Sequence, residues 1–217
     1  MFPFIRYATQ QPHTNQHRLL VIPGTGCPGE GAKSGKPCAH HDTHRRMNEF
    51  WVGMGCFWGA EKLFWETPGV TDTQVGYAGG RTSNPSYRAV CSGSTGHAEV
   101  VRVRFDPQVT SLEDLVVLAL ENHDPTQGNR QGADIGTQYR SVFFLPTSDD
   151  AATVERILDA YGKQLAQHGY GPITAQVVLM DQAGTGFWAA EDYHQRYLEK
   201  NPGGYCPHHG TGVCYVR

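Results

Sequence analysis

Long apolar runs are missing from this 217-residue chain, and none approaches the roughly 18 residues that cross a bilayer, so no membrane partner is expected. Charge is scarce as well. Asp, Glu, Lys and Arg make up 18% of the residues and the formal net charge is -3, which removes the reason to expect nucleic acid or an anionic lipid surface as partner. No internal repeat is visible. Residues Met1 to Ala8 hold one basic residue and few apolar ones, which makes a poor secretory signal. Residues 1–46 have few acids and several basic residues, so an organellar transit segment stands as the alternative to a cytoplasmic location. What is present suffices for one globular domain, with 39% hydrophobic residues. The six cysteines are Cys27, Cys38, Cys56, Cys91, Cys206 and Cys214. A chain of this length needs no disulfide staples and shows no signal peptide, so catalytic or redox use of the thiols is the better reading.

The pattern along the chain divides it in two. Residues 1–46 combine Pro, Gly, His, Gln and Lys with little apolar periodicity and read as an irregular extension; residues 47–217 read as the catalytic domain with a cysteine-bearing tail. Within that domain the spacing predicts strands over 49–54, 70–77, 99–105, 139–145 and 173–180, and helices over 57–66, 112–122, 149–168 and 189–200. Ser111 with Asp114 three residues on predicts a capping box. Two polar stretches, 79–97 and 123–137, are too long for turns and read as functional loops. The class is mixed α/β (α+β). The order β-α-β-β-α-β is that of a ferredoxin-like split unit, with an added helix and strand and a coil tail.

Chemistry concentrates at Gly55-Cys56-Phe57-Trp58-Gly59, where a strand turns into a helix. A cysteine there faces the positive end of the helix dipole, which favours the nucleophilic thiolate. The alternative is a small buried core cysteine, against which the flanking glycines speak. Adjacent helical positions point about 100° apart, so Phe57 and Trp58 cannot both face the core, and Trp58 is the better pocket wall. Glu99 opens an apolar strand. Solvated it would be inert, but in an apolar pocket its carboxyl would stay protonated and could donate a proton. Tyr87, Asp134 and Tyr139 lie in or beside the two loops and could orient a polar atom. Cys206 and Cys214, eight positions apart in a Gly-rich tail, suit a redox pair, a structural disulfide or half a zinc site with His208 and His209. A metal is not expected, because Cys27, Cys38, His40 and His41 complete only an irregular ligand set. Cys91 is read as buried and inert.

These motifs, in this order, resemble the A-type peptide methionine sulfoxide reductases. The likeness is carried by 55–59, Gly76-Tyr77-Ala78-Gly79-Gly80, Asn84-Pro85-Ser86-Tyr87, Cys91-Ser92-Gly93, Thr95-Gly96-His97-Ala98-Glu99, Asn122-His123-Asp124-Pro125-Thr126, Gly136-Thr137-Gln138-Tyr139-Arg140-Ser141, Ala190-Glu191-Asp192-Tyr193-His194-Gln195 and Asn201-Pro202. It runs from about Asn48 to the C-terminus. The resemblance implies reduction of methionine S-sulfoxide, free or in oxidised proteins, to methionine by a monomer without a bound cofactor. Cys56 would be the nucleophile that becomes a sulfenic acid, Phe57 and Trp58 the wall for the substrate methyl, and Glu99 the acid. Tyr87, Asp134 and Tyr139 would surround the sulfoxide oxygen, and Cys206 and Cys214 would be the first and second resolving cysteines. Thioredoxin, or dithiothreitol in vitro, would be the reductant. Ile135 departs from the polar residue many relatives carry there. Two rivals remain: a cysteine hydrolase using His97 or His194 as base, and a disulfide-stabilised binding module.

Overall fold

A computed structural model describes residues 48–205 and 209–217. The readings on residues 1–46, including Cys27 and Cys38, and those on Cys206 and His208 lie outside the described residues. All described residues belong to one compact unit.

The elements in chain order are β1 (Asn48–Gly53), α1 (Phe57–Trp65), β2 (Val70–Ala78), α2 (Tyr87–Cys91), β3 (Ala98–Phe105), α3 (Leu112–Glu121), β4 (Arg130–Gln131), β5 (Asp134–Ile135), β6 (Val142–Leu145), α4 (Ser148–Gln167), β7 (Gln176–Leu179), β8 (Trp188–Ala189) and α5 (Tyr197–Lys200). The expected mixed helix–sheet class is found. Six strands form one sheet in the order β7-β6-β1-β3-β2-β8. Its pairs are antiparallel except β6 with β7. The two strands β1 and β3, one before α1 and one after the first long loop, therefore lie side by side at the centre. This places the start of α1 next to the start of β3.

Apolar alternation explains which side of each strand is packed. Phe50 and Val52 of β1 and Val101, Val103 and Phe105 of β3 join Phe57, Ala60 and Phe64 of α1 and Leu115, Ala119, Ile157 and Tyr161 of α3 and α4 in one core. Trp51, Val100, Val142 and Phe144 pack on the opposite face. Helix α3 starts where the sequence predicts: Ser111 Oγ accepts from the Asp114 N–H at 3.1 Å, and the reciprocal bond to Asp114 is also present. That arrangement satisfies two of the otherwise unpaired donors of the first turn.

Four expectations are corrected. The helix expected over 189–200 is only α5. Its first half is spent on distant partners: Glu191, His194 and Gln195 reach Tyr77, Trp58 and Val75, and Arg196 takes a left-handed φ of 53°. The strand expected from 139 begins at Val142, because Thr137–Tyr139 makes a 3-10 turn. The loop 79–97 contains the five-residue α2, capped by Ser86. Cys91 at its end is exposed rather than buried.

Candidate active site

The site is built where β1 hands over to α1. Gly55 has φ of 96°, a left-handed conformation that a side chain would strain, and it turns the chain sharply enough to bring Cys56 to the helix N-cap. Cys56 is 7% exposed. The N–H groups of Trp58 and Gly59 face its sulfur. From the neighbouring strand, Glu99 accepts a hydrogen bond from the Phe57 N–H at 3.1 Å and is 2% exposed. Cys56, Phe57, Trp58, Tyr87, Glu99, Asp134, Tyr139 and Tyr205 line one cavity of about 210 Å³. All the residues that the sequence nominated for nucleophile, acid and substrate contacts therefore meet in one place. Cys214, expected in the relay, lies elsewhere on the surface and is exposed. A larger open groove of about 600 Å³ beside Tyr170 and Ile173 has neither cysteine nor histidine in its lining, and so no nucleophile of this kind.

Electrostatics correct one expectation and support another. The helix dipole was expected to favour a Cys56 thiolate. Burial wins instead and pushes the thiol up to about 12, with the Glu99 carboxylate adding to the rise; the Trp58 and Gly59 N–H groups offset only part. Cys56 is a neutral thiol at rest. Glu99 is pushed up to about 8, chiefly because burial strips water from its carboxylate, against the pull of the Phe57 N–H. At neutral pH it carries a proton. Burial and the nearby Glu99 also raise Tyr139, and burial with a Cys91 hydrogen bond raises Tyr87, so both phenols remain donors.

The segment after β8 fixes the walls. The Trp58 indole N–H donates to His194 Nδ1 at 3.1 Å, and the indole stacks on Tyr197 with centroids 3.9 Å apart and planes 17° apart. Burial lowers the His194 pKa, which keeps Nδ1 available as an acceptor. The Glu191 carboxylate accepts from the Tyr87 N–H at 2.9 Å and from the Tyr77 hydroxyl at 2.8 Å, and so ties α2 to β2. His97, the other base considered for a hydrolase, pairs its Nε2 with Thr185 at 3.3 Å. Each imidazole is thus held through one ring nitrogen, with His97 Nδ1 and His194 Nε2 buried and unpartnered, and neither histidine lines the Cys56 cavity.

Two features escaped the sequence reading. Tyr205 lines the cavity and donates from its hydroxyl to Asp134 Oδ1 at 3.2 Å. Its position directly before Cys206 was the available signal. His194 was considered only as a base, although its place in the motif 190–195 pointed to the site. Asp134 Oδ2 is buried without a hydrogen-bond partner, which leaves an acceptor available beside the cavity. Among the described residues no three metal-ligating side chains come together, and no helix is long and apolar enough to cross a membrane.

A model of the family described as peptide methionine sulfoxide reductase matches residues 48–212. The chain is similar to a peptide methionine sulfoxide reductase MsrA of Corynebacterium glutamicum, 56% identical over 197 residues, which covers 91% of this chain and 83% of the relative. Among solved structures it is similar to methionine sulfoxide reductase A of Corynebacterium diphtheriae, with 50% identity, a TM-score of 0.70 and coverage of 78% of this chain and 82% of that one. Mxr1 of Saccharomyces cerevisiae in reduced form is 34% identical with a TM-score of 0.70, covering 77% of this chain and 93% of that one.

Proposed function

This chain belongs to the peptide methionine sulfoxide reductase family and is an enzyme of that activity; on that premise we propose that Cys56 attacks a methionine S-sulfoxide while Glu99 supplies the proton its oxygen needs. The observation that carries the reading is the pairing of a buried, protonated Glu99 with a buried Cys56 thiol, joined through the Phe57 N–H.

The chemistry follows from the two raised pKa values. A sulfoxide sulfur is a weak electrophile until its oxygen accepts a proton, so acid and nucleophile must act together. Glu99 gives its proton to the sulfoxide oxygen and becomes a carboxylate. That carboxylate takes the thiol proton from Cys56 as the sulfur attacks, so the pocket never has to hold a thiolate and a carboxylate together. The Cys56 sulfur attacks the substrate sulfur, the S–O bond breaks, and the hydroxyl passes to the Cys56 sulfur as the transient S–S bond breaks and methionine leaves. The balance is Cys56–SH plus sulfoxide giving Cys56–SOH plus methionine: the substrate gains two electrons and Cys56 loses two. Glu99 ends protonated.

Phe57 and Trp58 receive the methyl group, with the indole held by His194 and Tyr197. Tyr87, Tyr139 and Asp134 orient the oxygen directly or through water. Tyr205, bonded to Asp134, joins that set. Cys206 then attacks the sulfenic acid and releases water, which leaves a Cys56–Cys206 disulfide. Cys214 attacks that bond in turn and moves it to an exposed position, where a thioredoxin-class dithiol reduces it. Oxidised proteins and free methionine sulfoxide are the proposed substrates, with the activity housed in residues 47–217.

The reading is tested by incubating reduced protein with each epimer of a methionine sulfoxide derivative, without reductant. The expected result is methionine from the S epimer together with loss of thiols. No methionine, or methionine without thiol loss, would overturn it.

A further inference from the structure

The second resolving thiol sits on a built platform that the chemistry above does not use. Cys214 is exposed, yet its neighbours on both sides are held. The Tyr161 hydroxyl of α4 donates to the Val213 carbonyl at 2.7 Å and lies 3.0 Å from Thr211 Oγ1. Val213 itself is 8% exposed and belongs to the main core. On the other side, the Tyr215 N–H donates to Glu121 Oε1 of α3 at 2.6 Å. Gln164 then grips Val216 through both backbone groups, donating to its carbonyl at 2.7 Å and accepting from its N–H at 3.0 Å. Tyr170 adds a bond to the Thr211 carbonyl at 2.7 Å. Gly210 packs so close to the Glu121 carbonyl that a side chain there would overlap it. These anchors bracket the thiol, on Thr211 and Val213 before it and on Tyr215 and Val216 after it.

We propose that Tyr161, Glu121 and Gln164 are positioning residues for the relay: they hold Cys214 at a fixed station on the α3–α4 face, to which the Cys56–Cys206 disulfide is delivered. The inference rests on the relay proposed above and adds which residues position Cys214 for it. Cys214 thiolate attacks the Cys206 sulfur, the Cys206–Cys214 bond forms as the Cys206–Cys56 bond breaks, and Cys56 leaves as a thiolate that takes up the proton Cys214 lost. No net oxidation or reduction occurs. Fixing one partner raises the effective concentration of the other, because the tether no longer samples positions out of reach.

The test follows disulfide pairs in time, by quenching and mass spectrometry after one turnover. Tyr161→Phe combined with Gln164→Ala loosens both flanks of Cys214. Glu121→Ala loosens one flank and leaves the core ring in place, and Glu121→Gln keeps an acceptor oxygen and serves as the conservative rescue. The expected result is an unchanged first burst of methionine and unchanged dithiothreitol-driven turnover in all three. Appearance of the Cys206–Cys214 pair should slow by at least about tenfold in the double variant, and less in Glu121→Ala. Glu121→Gln should match the parent. Thioredoxin-driven kcat should fall with the exchange rate, a split that general destabilisation would not produce. Exchange as fast as the parent, or faster, in folded variants would overturn the inference. Absence of any Cys56–Cys206 pair in the parent would instead overturn the relay reading.

Discussion

Cys56 and Cys214 are the same side chain in opposite surroundings. Cys56 lines a cavity, 7% exposed, among two acids, three phenols and an aromatic wall. Cys214 lies on the surface, in a tail anchored to two helices by hydroxyl, carboxylate and amide groups. Dry surroundings keep a carboxyl protonated and a thiol neutral, which suits a step that must move protons to a sulfoxide oxygen. They also keep out a macromolecular reductant. An exposed thiol is reachable but lacks the acid. The proposed relay resolves the conflict by splitting the cycle between two sites, at the cost of a disulfide exchange to join them.

That contrast can be broken from either end. The largest effect is expected from Cys56→Ser, which removes the thiol that lines the cavity with Glu99 and should lower sulfoxide reduction by at least about 10³-fold with any reductant. Residual turnover of this variant with dithiothreitol would move the nucleophile elsewhere. Next, Cys214→Ser should complete one turnover at the parent rate and form a Cys56–Cys206 disulfide, yet recycle with thioredoxin at no more than about a tenth of the parent rate. Cys206→Ser should stop earlier, with a sulfenic acid at Cys56 that a dimedone-type probe would label. A smaller effect is expected at the wall. His194→Ala frees the Trp58 indole, so KM should rise by roughly tenfold, in keeping with a wall contact worth 1–2 kcal/mol, while kcat changes less. His194→Asn, which keeps an acceptor near the position of Nδ1, should recover part of that loss. The smallest effect is expected from deleting residues 1–44, which lie outside the matched family segment. Steady-state rates should stay within about twofold of the full chain, since no core residue described here is removed.

Much of this site was legible in the sequence, for identifiable reasons. Strand alternation and the Ser111–Asp114 capping box are local signals, and local signals gave the right elements. The Gly-Cys-Phe-Trp-Gly turn joins the proposed nucleophile to the proposed wall within five residues, and Glu99 at the head of β3 comes beside it because β1 and β3 pair. What was missed depends on distant partners. The segment 189–196 has helical spacing, but Glu191 and Gln195 reach β2 and α2, and Glu61, fully buried, accepts from the Arg196 N–H at 2.8 Å. Propensity cannot anticipate such bonds. The ionisation of Cys56 was misread for a related reason: the dipole follows from the helix, whereas the burial that overrides it is set by loops folding over the site.

The central claim is that the dry pocket keeps Glu99 protonated so that it can act as the acid. Its carboxyl is pushed up to about 8, so the donor form is present below that value and disappears as pH rises through it. Single-turnover methionine formation by the parent and by Glu99→Gln should be measured from pH 5 to 9. The amide keeps the shape and can donate a hydrogen bond, but it cannot transfer a proton. The parent rate should hold on the acid side and fall as pH climbs through about 8. The Gln variant should be slower by about 10²–10⁴-fold and lack that fall. A Gln variant within about threefold of the parent throughout would contradict the claim and assign the proton to a tyrosine or to water.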